Sequence, residues 1–78
     1  MLRWIFTRND AALTCELDAN AAGGYDVCVV PHWDVSSAAI ERFDAAAAAL
    51  QRHAELARYL LDTGWRHARG HGEYLRAA

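Results

Sequence analysis

Four histidines, two cysteines and eight basic residues, all of them arginine, are the groups that could make this sequence a catalyst, a metal protein or a nucleic-acid binder. His53 lies within an apolar stripe, where an imidazole is either a general base or metal ligand, or a core group bonded to a backbone carbonyl. No acid or nucleophile has a spacing that brings it to His53, so the core role is expected. His67 and His71 have the H-x3-H spacing of metal ligands. That spacing joins two rings only on a helix, Gly70 and Gly72 interrupt the segment, and structural zinc takes four ligands, usually including cysteine. Cys15 and Cys28 have no neighbouring cation to lower a thiol pKa, and both read as small hydrophobes. No Gly-rich phosphate loop, paired-cysteine motif or nucleophile elbow is present. The sequence therefore points to a non-enzymatic protein with no catalytic residue, metal or cofactor. A small metal-binding or catalytic protein using His53, His67, His71 or Cys28 is an alternative.

Aromatic side chains interleaved with arginine can stack unpaired bases. Trp33 falls on a hairpin tip beside Pro31 and His32, and with Arg3, Arg66 and Arg69 it forms the candidate set for single-stranded nucleic acid. The charge balance opposes this use. Net charge is −2; residues 1–43 hold three Arg against six acids, and residues 44–78 hold five Arg against four. Glu16, Asp18, Asp26, Asp34 and Glu41 scatter negative charge through the strand-like segments, so nucleic-acid binding is possible but not favoured.

The elements that must position these residues follow from periodicity. Leu2, Trp4 and Phe6 alternate with Arg3, Ile5 and Thr7, and Leu13, Cys15 and Leu17 with Thr14, Glu16 and Asp18, which predicts two half-buried strands joined by a turn at Arg8-Asn9-Asp10. A loop over 20–24 leads to a third strand, with Tyr25, Val27 and Val29 on one face and Asp26, Cys28 and Val30 on the other. Pairing Leu17 with Tyr25 sends the two thiols to opposite faces. Pro31 ends that strand, because proline cannot donate to a ladder. A fourth strand spans 38–43, with ambiguous facing because an inward Phe43 also turns Glu41 inward. An alternative is a helix that begins near Ser36 and kinks at Asp44.

From Asp44 to Trp65 the pattern is one amphipathic helix with Asp44 as N-cap, Gly64 as a left-handed stop, and Trp65 folded back onto Leu60. Its apolar stripe is Ala46, Ala49, Leu50, His53, Ala57, Leu60 and Leu61. The expected fold is α+β: a four-stranded antiparallel β-meander followed by one long α-helix packed on one face (ββββα). Residues 1–66 form a single domain, and 67–78 a flexible C-terminal tail.

One sheet face then has no helix over it, and its apolar seam at Ile5, Cys28 and Val30 is the candidate partner surface. Seventy-eight residues bury a small core, and pairing with a second copy is a direct way to enlarge it. A homodimer joined through the open face or a sheet edge is expected, with the identity of any other protein partner left open. The N-terminal residues read as neither signal peptide nor membrane span, so no membrane partner and a cytoplasmic location are expected.

Glu41-Arg42-Phe43-Asp44, the Ala-rich helix with Leu56 and Leu60-Leu61, and the closing Gly64-Trp65 resemble a group of short uncharacterised bacterial proteins with an E-x-F-D helix start and Gly-Trp after the helix. The resemblance covers roughly residues 25–66; it implies the fold and no activity. The strand-then-helix order is also similar, in topology alone, to the unit of Whirly-type single-stranded DNA-binding proteins. No lysine-rich sheet motif accompanies that likeness.

Overall fold

The computed structural model describes residues 2–71. Five strands and one helix follow in the order β1 Leu2–Arg8, β2 Ala11–Ala19, β3 Tyr25–Pro31, β4 Ala39–Phe43, α1 Ala46–Asp62 and β5 Arg66–His71, with a short 3-10 turn at Val35–Ser37 before β4. The strands form one antiparallel sheet in the order β4-β3-β2-β1-β5, and α1 packs across one face. The class is α+β, as the periodicities require, but the sheet has five strands where the meander predicts four.

The fifth strand is the main departure from the sequence reading. Arg66–His71 pairs antiparallel with β1, with a register shift between Ile5 and Phe6. This segment shows no apolar alternation and reads as loose tail from the sequence. It is a strand because the chain leaves α1 beside the unpaired edge of β1, and its backbone can satisfy that edge with little burial of its own. Residues 72–78 of the expected tail lie outside the described residues.

The return to β1 is made by the helix stop. Trp65 N–H donates to the Leu60 carbonyl at 2.9 Å and Gly64 N–H to the Leu61 carbonyl at 3.2 Å, the paired bonds of a Schellman turn. Gly64 has φ +96°, and a Cβ there would meet the Arg8 Cδ only at 3.5 Å, so backbone strain rather than crowding requires the glycine. Trp65 is 8% exposed and shares a core cluster with Leu60, Ala57, Trp4, Phe6, Leu13 and Cys15.

The helix start differs from expectation. Ala45, not Asp44, is the N-cap residue, and it makes no side-chain capping bond. The strand runs on to Phe43, whose ring packs with Leu2, Leu17, Val27 and Ala49, so Asp44 and Ala45 are both used in turning the corner. The buried stripe is Ala49, His53, Ala57 and Leu60, flanked by Leu56; Leu61 is 50% exposed. Glu41 does turn toward the helix side, as an inward Phe43 demands, and it pairs with Arg52 of α1 through two bonds of 2.7 and 3.2 Å. No kinked helix replaces the strand.

The β2–β3 register is Leu17 opposite Val27 and Cys15 opposite Val29, two positions away from the predicted Leu17–Tyr25 pairing. The Asn20 side-chain oxygen accepts the N–H groups of Ala22 and Gly24, which tightens the loop so that Ala19 and Tyr25 close it. A two-residue shift preserves every facing, so Cys15 and Cys28 still lie on opposite faces.

Two substitutions test the stop. Trp65→Ala should lower stability by about 3–5 kcal/mol, from lost transfer energy and the cavity left behind. Gly64→Ala should cost about 1–2 kcal/mol from the left-handed conformation alone. Denaturant titration of each variant measures both values, and a near-neutral Trp65→Ala would refute the role given to this turn.

Candidate functional site

The strand registers define the face that α1 leaves bare as four rows of side chains. Thr7 of β1, Ala12 of β2 and His32, just past the end of β3, form one end; Arg66 of β5 stands opposite Thr7. Ile5, Thr14 and Val30 form the next row, then Arg3, Glu16, Cys28 and Ile40, then Asp18, Asp26 and Arg42. The two middle rows carry the predicted seam Ile5, Cys28 and Val30. Ile40, which sequence reasoning missed because the facing of β4 was open, extends the seam and is 57% exposed.

Polar groups hold the face in place. Thr14 Oγ1 and His32 Nε2 share a hydrogen bond of 2.7 Å, and Thr14 is 8% exposed. Arg3 pairs with Glu16 at 3.1 Å across the middle of the face. At the acidic end Asp26 Oδ1 accepts from Asn20 at 3.0 Å and lies 3.5 Å from Arg42 Nε. Asp18 stands directly opposite Asp26 in the ladder, a like-charge pair that Arg42 neutralises only in part.

Burial is the main influence on the two thiols and on His53. Burial, then the charges of Glu16 and Asp26, push the Cys28 thiol above its ordinary value. Burial pushes Cys15 up to about 12. Neither sulfur is a ready thiolate at neutral pH. His53 is fully buried; its Nε2–H donates to the Cys15 carbonyl at 3.1 Å, and its ring stands edge-on to Trp4 with centroids 5.2 Å apart. That is the core role the sequence assigns to it. Burial holds the imidazole below its ordinary value, partly offset by the carbonyl bond.

His67 and His71 sit on β5, where four residues of extended chain span about 13 Å. The His67 ring lies against Trp4 and Phe6, on the helix side. Among the described residues no group of three or more His, Cys, Asp or Glu side chains has a metal-binding arrangement.

The structure brings Arg3 and Arg66 onto the open face, and the Arg69 backbone registers with Ile5 of the same face. Trp33 goes elsewhere. It is 63% exposed at the end of the sheet and stacks on Trp65, with centroids 6.2 Å apart and planes 17° apart, while the Arg8 guanidinium lies 4.7 Å from the Trp65 centroid. The candidate nucleic-acid set is therefore divided between a face and an end. No described helix is long and apolar enough to cross a membrane.

No family model matches this chain, and neither the curated proteins nor the solved structures give a match.

The buried imidazole makes a pH prediction. Below about 6.5, the ordinary histidine value, the unfolded chain takes up a proton that folded His53 resists, so the unfolded state binds more protons there. The His53 contribution is complete above that pH and declines as pH falls toward the lowered folded-state value. Denaturation midpoints should drop between about pH 7 and 5, and His53→Gln should flatten that slope. An unaltered slope in the variant would exclude His53 as its source.

Proposed function

We propose that this chain is a small non-enzymatic interaction module of the reducing cytoplasm that self-associates through its open sheet face. The observation that carries the reading is that Ile5, Cys28, Val30 and Ile40 share the uncovered face, with Thr14 and the Arg3–Glu16 pair among them. A sheet needs apolar cover on one face, and α1 supplies it; a second apolar band has no use in the isolated chain.

The face is favoured over the β4 edge. β4 is five residues long and carries Glu41 and Arg42, the charged, short form of edge that resists strand addition. The free thiols, both raised in pKa, suit a protein whose cysteines pack rather than react.

Four interstrand spacings of about 4.8 Å and seven residues of about 3.3 Å give a face of roughly 450 Å² per copy, below the usual size of stable interfaces, so a weak and reversible association is expected. Val30→Asp should shift sedimentation toward monomer while far-UV circular dichroism is retained, because a carboxylate would be buried unpaired against the second copy. An oligomer that persists unchanged would exclude this face as the contact.

A second reading rests on Arg3, Arg66 and the registered backbone of Arg69 sharing one face: the face could track a single strand of nucleic acid. Anisotropy of a labelled oligonucleotide against salt tests it. Two phosphate contacts, from Arg3 and Arg66, give a log–log slope of about −1.4, and absence of binding in low salt removes the reading.

A further inference from the structure

Charge is sorted across the sheet by strand order. β1 and β5 together carry four arginines and no acid, while β4, β3 and β2 carry four acids and one arginine. The order of the sequence conceals this division, because the two basic strands lie far apart along the chain. Arg3 is paired with Glu16, and Arg8 is engaged by the Thr63 carbonyl and the Trp65 ring. Arg66 is exposed and has no acidic partner among the described residues.

β5 is also an end of the sheet, and no described strand pairs with its outer side. Successive residues of a strand alternate in the side to which their N–H and C=O groups point, so about half of this strand turns its backbone away from β1. The register shift between Ile5 and Phe6 then decides where the basic positions fall. Residues three apart in a regular strand belong to opposite faces. With the shift, Arg66 registers with Thr7 and Arg69 with Ile5, both positions of the open face, and His71 follows at Arg3. The edge therefore offers backbone donors and acceptors beside a row of positions of one sign.

These features choose the occupant. A second copy joined β5 to β5 would set basic positions against basic positions. Joined β5 to β4, it would bring Arg42, the charge on the open-face side of that strand, to the same row. A single strand of nucleic acid suits the arginines, but its phosphates only accept and would leave the β5 carbonyls without donors. An extended polypeptide with a carboxylate at every second residue suits both. Its backbone supplies donors and acceptors, and its acids all fall on one side of the strand.

We infer that the outer edge of β5 takes up an acidic extended segment of another protein as a sixth strand, its carboxylates lying along the row of Arg66 and the Arg69 position. The edge is separate from the open face, so this site stands whether or not the chain self-associates.

The test is fluorescence anisotropy of labelled peptides with the full chain at low salt. The probe is the alternating peptide (Thr-Glu)4. Of its two controls, (Thr-Gln)4 lacks the charge, and (Pro-Glu)4 keeps the charge but lacks half of the backbone donors. (Thr-Glu)4 should bind at least about tenfold more tightly than either control. Arg66→Glu should weaken that binding about tenfold with circular dichroism unchanged, whereas Arg42→Gln, at the far edge, should leave it within about twofold. Absence of (Thr-Glu)4 binding, or binding indifferent to Arg66→Glu, overturns the proposal. So does (Pro-Glu)4 binding as tightly, which would reduce the effect to charge alone. An oligothymidylate that binds more tightly than (Thr-Glu)4 also overturns it and assigns the edge to nucleic acid.

Discussion

The left-handed turn at Gly64 is the joint on which the rest of the molecule depends. It ends α1, drops Trp65 into the core between the helix and β1, and aims the chain back along the free edge of β1. Arg8 reinforces it from the opposite side, donating to the Thr63 carbonyl at 2.9 Å while its guanidinium lies against the Trp65 ring. A chain of this size has a small core, so one residue that serves as helix stop, core filler and stacking partner concentrates much of its stability at a single place.

The covered and open faces solve different problems with the same period of two. On the covered face small residues on α1 let the helix approach, and Trp4, Phe6, Leu13, Leu17 and Val27 fill the gap; His53 enters because the Cys15 carbonyl accepts a hydrogen bond from its Nε2–H. On the open face charges pair beside the apolar residues, Arg3 with Glu16 in the middle and Arg42 with Asp26 at one end. Exposed pairs of this kind add little stability. They do set a charge pattern along the strands of this face.

Much of this was legible in the residues. The strand facings, the separation of the two thiols, the core role of His53 and the Gly64–Trp65 stop follow from alternation, helical spacing and turn chemistry, each of which acts within a few residues. That Ile5, Cys28 and Val30 share one face was legible for the same reason. Asp44 misled because it is a good cap in the wrong place: the packing of Phe43 decided where β4 ended, and Ala45 took the position instead. Leu61 misled because it neighbours Leu60 in sequence while lying about 100° away around the helix.

Local sequence determined the elements and which face of each is apolar, since steric preference and burial periodicity are written in neighbouring residues. The tertiary structure alone decided that Arg66–His71 is a strand, that Ile40 joins the open face, that Glu41 is neutralised by Arg52, and that His32 lies on Thr14. These depend on unpaired backbone edges and on partners 11 or more residues away in the chain. Such partners leave no period to read, because distance along the sequence carries no information about which groups the closed sheet brings together.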